Sequence, residues 1–182
     1  GSPLFIVSGP ELVIAQCKAG VVGSFPALNA REAEGEPPLL EAWLTRITEA
    51  LDRHNQAHPD QPAAPFAVNQ IVHRSNVRLD RDLEICARHK VPIWITSLGA
   101  RVEVNEAAHS CGGVVLHDVI NDTFARKAIA KGADGLVAVA AGAGGHAGQQ
   151  SPLALIQEIR GWFDGPLALS GAIATGQSLL AA

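Results

Sequence analysis

Seven short apolar runs that alternate with helical patterns predict an α/β fold, a (β/α)8 TIM barrel of about seven units without its eighth strand. The runs are almost continuously apolar, as is typical of parallel strands buried on both faces. Their spacing is compatible with the roughly 30 residues per unit of a ~250-residue barrel. Polar residues or glycines follow several runs, and a barrel gathers such loops on one face. The alternation of strands and helices is also compatible with an open doubly wound sheet, but such a sheet would not gather all of these loops on one face.

The predicted strands start close to residue 1 and continue to residue 170. They are Leu4–Val7, Val21–Phe25, Phe66–Ile71, Pro92–Thr96, Val114–His117, Gly135–Val139 and Leu167–Ser170. Helical spacing of apolar residues predicts helices between them, most clearly at Leu40, Leu44 and Ile47. The predicted helices are Glu11–Lys18, Leu39–His54, Leu79–His89, Arg101–Ser110, Thr123–Lys131 and Pro152–Phe163. Several of them end at a glycine or a short polar break, as helix C-caps do.

Length and composition narrow the class of protein. A chain of 182 residues is expected to form one domain, residues 1–182. Its net charge of −4 provides no basic surface for nucleic acid. No run approaches the ~18 apolar residues of a membrane span, and no secretory signal is recognisable. The three widely spaced cysteines favour a reducing cytoplasm, and no metal site is predicted because none has a CxxC partner.

Both ends of the chain have the pattern of an element that is cut short. The sequence contains no methionine, and strand-like sequence begins at Leu4. Gln177–Ala182 has the pattern of a helix that is just beginning. We therefore expect the chain to be a segment of a longer protein.

The run from Gly142 to Gly148 (Gly-Ala-Gly-Gly-His-Ala-Gly) directly follows the apolar stretch Gly135–Ala141, which contains the predicted strand Gly135–Val139. Glycine accepts positive φ angles and lets the backbone come close to a flat or phosphorylated ligand. His146, which lies inside this run, carries the side chain best suited to acid–base chemistry near neutral pH. The combination predicts a functional site at the carboxyl end of this strand, whereas a loop histidine hydrogen-bonded for structure is the ordinary alternative.

Several segments resemble the nitronate monooxygenase family, formerly called 2-nitropropane dioxygenases. They are AGAGGHAGQQSP, GADGLVAV, GPLALSGAIATG, PFAVNQ and VLHDVIN, and the resemblance extends over essentially the whole chain. It implies an FMN-dependent (β/α)8 enzyme that oxidises alkyl nitronates or nitroalkanes with molecular oxygen. Family members continue past the Ser-Gly-Ala-Ile segment with a helix and an eighth strand, so the chain is similar to a member shortened at both ends. The implied partners are small molecules, and the oligomeric state stays open.

The resemblance also implies roles for individual residues. His146 would be the catalytic base, or a positively charged or hydrogen-bonding partner of the nitro group. The residues implied in FMN binding are Phe5, Asn69, His117, Gly144, Gly145, Gly171 and Ala172. Among these, Gly171 and Ala172 would form half of the phosphate cradle. Two positions depart from the family: Ala172 often is glycine, and Val139 often is a glutamine that contacts FMN.

Structural roles compete with these assignments. Asn69 could cap a turn, Phe5 could belong to the barrel core, and His117 could pair locally with Asp118. Two other functions also stay open, because a fold does not fix an activity. They are an FMN-dependent NAD(P)H reductase of a quinone or enoyl thioester, and a non-catalytic barrel that binds a phosphate ligand. A third hypothesis is that the chain, with unpaired sheet edges, binds no FMN by itself.

Overall fold

The computed structural model describes residues 1–32, 37–145 and 147–182. Six strands alternate with helices along these ranges: β1 (Gly23–Pro26), β2 (Phe66–Ile71), β3 (Ile93–Ser97), β4 (Val114–Val119), β5 (Gly135–Val139) and β6 (Leu167–Ser170). The helices are α1 (Pro10–Lys18), α2 (Leu39–Ala57), α3 (Leu79–Arg88), α4 (Val102–Ser110), α5 (Asp122–Ala130), α6 (Pro152–Arg160) and α7 (Gly176–Ala181), and a short 3-10 helix, Ala27–Asn29, follows β1. The chain divides into two compact units, Gly1–Val115 and Leu116–Ala182. The single domain over residues 1–182 stays a prediction.

All strand pairs within the two units are parallel. In the first unit β1 pairs with β2 and β2 pairs with β3. In the second, β4 pairs with β5 and β5 pairs with β6. Six parallel strands in chain order, each followed by a helix, are the pattern of an incomplete (β/α) barrel. The predicted fold class is therefore confirmed, with six described strands rather than seven.

In the first unit, one face of the strands packs against helices. The Phe25 ring meets the Trp43 ring of α2 edge to face, with 5.5 Å between the centroids. The strand register places Phe25 in the same row as Trp94, and both are fully buried. Side chains alternate between the faces of a strand. The adjacent row, which contains Asn69 and Ile95, therefore points away from the helices.

Helix α2 shows why its sequence pattern is easy to interpret. Leu40, Leu44 and Ile47 are completely buried, and Leu51 is 7% exposed. Their spacing places them on one stripe of the helix, which faces the core. The helix extends to Ala57, three residues beyond the predicted end. The apolar stripe thus determines which face of α2 is buried.

The second unit has the same layering. Helices α5 and α6 pack against β5. Leu136 and Ala138 of β5 are completely buried, whereas Val137 and Val139 are partly exposed. In a sheet covered by helices, the fully buried row is the covered one. Val137 and Val139 therefore lie on the opposite face.

The run Leu4–Val7 is not the strand that its apolar residues predict. Residues 5–7 form a turn, in which the Ser8 N–H donates to the Leu4 carbonyl at 3.0 Å. The side chain of Asn29 holds this turn: Nδ2 donates to the carbonyls of Leu4 and Ser8, both at 2.9 Å, and Oδ1 accepts from the Ile6 N–H at 3.0 Å. Side-chain bonds of this kind compete with a sheet ladder for backbone groups. The prediction of a strand here is wrong for that reason.

Three further features concern the described part of the chain as a whole. None of its helices combines the length and the apolar character that crossing a membrane requires. No group of three or more His, Cys, Asp or Glu side chains in it is arranged to hold a metal ion. Cys17 and Cys86 are buried, and burial raises the pKa of both thiols, so they stay protonated at neutral pH.

Candidate functional site

Two glycine-containing loops meet at the carboxyl ends of β5 and β6. A Cβ atom added to Gly142 would lie 3.7 Å from the Ala172 Cβ and 3.8 Å from the Gly171 carbonyl carbon. A Cβ added to Gly171 would lie 3.1 Å from the Ala141 carbonyl oxygen. Gly142 has a φ of 97° and Ala172 a φ of 57°. The structure therefore brings together two segments that carry residues implied in FMN binding by the resemblance.

The loop after β5, residues 141–150, is held at its base, and we call it the glycine loop. The Ala141 N–H donates to the Gln150 carbonyl at 2.9 Å, and the Gly148 N–H donates to the Val139 carbonyl at 3.1 Å. A Cβ at Gly148 would lie 2.7 Å from the same Val139 oxygen, a distance that real Cβ atoms do not adopt. Glycine at position 148 therefore allows the loop to fold back onto the strand end.

The tip of the glycine loop is open. No described atom lies within 4 Å of a Cβ built on Gly144 or Gly145. Gly145 has a φ of 70°, in the left-handed region that glycine adopts without strain. The backbone here can approach a bound molecule closely. His146, the predicted catalytic residue, lies outside the described residues, so its role stays a prediction.

Asn69 is fixed on the face of β2 that points away from the helices. Its Nδ2 donates to the Ser97 Oγ at 2.7 Å and to the Ile95 carbonyl at 3.2 Å. Only 4% of the residue is exposed. The two bonds hold the amide in one orientation near the carboxyl ends of β2 and β3. Binding of FMN by Asn69 stays a prediction.

Phe5 lies in the turn at residues 5–7 and is 63% exposed. The Arg31 guanidinium carbon is 5.7 Å from the centroid of its ring, within the range of a cation–π contact. Arg31 follows the 3-10 helix at the end of β1, so this pair belongs to the carboxyl-end loops of the first unit. Phe5 is therefore a surface residue in the described chain. Its place beside a flavin stays a prediction.

His117 lies in the buried row of the second unit. It pairs in register with the completely buried Leu136, and 6% of it is exposed. Burial, followed by the charge of Lys131, lowers its pKa to about 4, so the imidazole is neutral at neutral pH. Asp118, the next residue, pairs with Val137 on the opposite face. Contact of His117 with FMN stays a prediction.

Sequence reasoning missed a polar cluster that fixes the loop after β1. Arg78, just before α3, donates to the Ala30 carbonyl at 2.9 Å and to the Asp82 carboxylate at 3.2 Å, and lies 3.6 Å from Glu32. Asp82 is completely buried, and burial is the main cause that raises its pKa, against the lowering effect of Arg78. The i,i+4 spacing of Arg78 and Asp82 is the signal that could have revealed the pair. Asn29, which holds the turn at residues 5–7, carries no such signal.

Comparison with known protein families finds none that matches the sequence. No curated protein matches it either. Solved structures do match. The FabK (M276A) mutant from Thermotoga maritima has 22% sequence identity and a TM-score of 0.79, over 99% of this chain and 55% of that chain.

Two more solved structures are similar. FabK from Thermotoga maritima has 23% identity and a TM-score of 0.76, over 95% of this chain and 50% of that chain. Nitroalkane oxidase from Streptomyces ansochromogenes has 22% identity and a TM-score of 0.78, over 99% of this chain and 61% of that chain. The chain thus spans about half the length of the FabK structures. At these identities the similarity establishes that the chain shares their fold.

Proposed function

We propose that this chain belongs to an FMN-dependent oxidoreductase that oxidises alkyl nitronates or nitroalkanes with molecular oxygen. The observation that carries the proposal is the meeting of the glycine loop with Gly171 and Ala172 at the carboxyl ends of β5 and β6. Ligands bind at that end of the strands in (β/α) barrels. The segments shared with the nitronate monooxygenase family, and the fold shared with a protein named nitroalkane oxidase, support it.

Residues of each unit, taken separately, have the chemistry to contact an FMN group. Open space at Gly144 and Gly145 allows the backbone to approach a flat or phosphorylated ligand. In this proposal Gly171 and Ala172 contribute to binding the phosphate. The Asn69 amide, already held by Ser97, is suited to a ring edge or a ribityl hydroxyl. Phe5 and His117 are proposed as further FMN neighbours.

A bound flavin would supply the redox centre that takes electrons from the substrate and passes them to oxygen. The protein's own task is to bind the substrate and manage its proton. A neutral nitroalkane must lose an α-proton, and a histidine with a pKa near the working pH removes it best. A nitronate is already an anion and needs a hydrogen-bonding or positively charged partner. We propose His146 for either role.

The nearest rival is an FMN-dependent reductase that uses NAD(P)H to reduce a quinone or an enoyl thioester. The observation in its favour is that the chain shares the FabK fold as well as it shares that of nitroalkane oxidase. The two proposals differ in the reductant. A nitronate reduces the flavin in the first, whereas NAD(P)H does so in the second.

Anaerobic single-turnover mixing tests the proposal. The purified protein should be yellow, and propionate 3-nitronate should bleach its flavin absorbance faster than NADH does. His146→Ala should slow oxidation of a neutral nitroalkane by about 100-fold or more. His58→Ala, which changes an exposed histidine beyond the end of α2, serves as the control and should be unchanged. Faster bleaching by NADH would favour the reductase, and failure of the whole protein to bind added FMN would contradict both.

A further inference from the structure

Two histidines meet where helix α2 ends. The sequence predicts that this helix ends at His54, but it continues to Ala57, with His58 as its C-terminal cap. His54 and His58 are therefore about one helical turn apart, on the same face of the helix. Their rings are stacked, with 4.4 Å between the centroids and 20° between the planes. His54 is partly exposed and His58 is exposed, so both rings are open to solutes.

Hydrogen bonds determine which nitrogen of each ring carries a proton. His54 Nε2 lies 3.2 Å from the Gln61 carbonyl oxygen, and His58 Nδ1 lies 3.1 Å from the His54 carbonyl oxygen. A carbonyl oxygen can only accept, so each of these two nitrogens donates an N–H. The lone pair of each neutral imidazole is then on the other nitrogen, which is Nδ1 of His54 and Nε2 of His58.

This arrangement is typical of histidines that bind a metal ion. Such histidines usually donate the second ring N–H to a carboxylate or a backbone carbonyl, which fixes the tautomer and the orientation of the ring. Both rings meet this condition. Bonds from imidazole to Zn²⁺ are about 2.0–2.1 Å long, so one ion can join two nitrogens about 4 Å apart. Rings whose centroids are 4.4 Å apart are at about this separation.

The electrostatic surroundings favour a cation. The last carbonyl groups of a helix carry a partial negative charge, which stabilises positive charge at that end. Arg53, which precedes His54 in the sequence, lies 3.6 Å from the Glu49 carboxylate, so its own charge is paired. A metal ion at the end of α2 is therefore not opposed by this neighbouring arginine.

We propose that His54 Nδ1 and His58 Nε2 bind one divalent transition-metal ion, with water at its remaining positions. Imidazole suits Zn²⁺, Ni²⁺ and Cu²⁺, whereas Mg²⁺ and Ca²⁺ prefer oxygen ligands. The segment after α2 leads directly into β2, so the ion lies at the amino end of this strand. The inference depends on neither FMN nor substrate oxidation, and His58→Ala should lose the ion and keep nitroalkane oxidation.

Calorimetric titration of the whole chain with Ni²⁺ tests this site. We expect one Ni²⁺ ion per chain. The Kd should rise on the order of 100-fold in His54→Ala and in His58→Ala, because each variant loses the advantage of a second tethered ligand. His109→Ala, at an exposed histidine of α4, is the matched control and should bind Ni²⁺ as the unchanged protein does. An unaltered Kd in His54→Ala or His58→Ala overturns the proposal.

The double variant Gln56→His/His58→Ala tests the spacing. It keeps the number of histidines but places the second one two residues after His54, and residues two apart do not face each other on a helix. It should bind Ni²⁺ as weakly as His58→Ala does. Restored binding would mean that any two exposed histidines suffice, and it would overturn the assignment to this pair.

Nuclear magnetic resonance of the unchanged protein locates the ion without any substitution. Paramagnetic Ni²⁺ at low ratio to protein should broaden the ring signals of His54 and His58 before those of the other five of the seven histidines. Equal broadening of all seven would overturn the proposal, because it would indicate binding without a preferred site.

Discussion

Asn29→Ala is expected to release the turn at residues 5–7 from the rest of the first unit. The buried side chain makes three hydrogen bonds to this segment, at 2.9, 2.9 and 3.0 Å. Each bond contributes about 1 kcal/mol net, which sums to about 3 kcal/mol. The freed backbone groups lie in an exposed turn and can bond to water instead. The expected loss of local stability is therefore about 2–3 kcal/mol.

Hydrogen exchange at the Ile6 amide measures this loss directly, because that N–H donates to Asn29 Oδ1. A loss of about 2–3 kcal/mol corresponds to exchange that is about 30- to 150-fold faster. Asn55→Ala is a matched control, since Asn55 accepts a single bond, from the Ala63 N–H at 2.8 Å. It should lower stability by about 1 kcal/mol and leave the Ile6 amide unchanged. Unaltered Ile6 exchange in Asn29→Ala would refute the reasoning.

Three further substitutions probe the described chain. Ile6 has a φ of 68° and is 72% exposed, so Ile6→Asn should raise the free energy of unfolding, measured by urea titration, by about 1 kcal/mol. Val7→Asn, at a neighbouring position that is 65% exposed, should not raise it. Gly148→Ala should destabilise, because its Cβ would lie 2.7 Å from a carbonyl oxygen, whereas Gly144→Ala meets open space and should leave the melting temperature unchanged. The pKa of His117 is lowered to about 4, chiefly by burial, so the unfolded chain takes up its proton first as the pH falls. Protonation of His117 should lower the free energy of unfolding by about 3 kcal/mol between about pH 6.5 and pH 4. In His117→Gln this contribution to the pH dependence should be absent.

Sequence patterns predicted three strands with their exact bounds. The predicted bounds of β2, β5 and β6 are the observed ones. Of these, β2 is buried on both faces from Phe66 to Gln70, as is typical of a parallel strand in a core. β5 is partly exposed on one face, and β6 has no buried residue. The spacing of Leu40, Leu44 and Ile47 likewise predicted the buried stripe of α2. Local apolar patterns thus sufficed for elements whose backbone conformation no distant side chain decides.

Apolar sequence patterns gave a wrong prediction where a side chain distant in the sequence determines the backbone conformation. Leu4–Val7 is as apolar as the true strands, yet its residues are 48–72% exposed. The deciding group is the Asn29 side chain, which is 21 to 25 residues away in the chain. Neither apolar content nor periodicity encodes such a contact. The same limit hid the attachment of Arg78 to the Ala30 carbonyl, across 48 residues.

The candidate site depends on a further property: the face of the sheet to which each side chain of a strand points. Side chains at successive positions point to opposite faces. A sequence pattern locates the end of a strand, but a shift of one residue moves every side chain to the other face. Asn69 lies in the row that points away from the helices, and its bond to Ser97, in the same sheet, keeps it there. His117 lies in the row of the fully buried Leu136, and Asp118 lies in the other. Two neighbouring polar residues near the end of one strand thus have opposite surroundings.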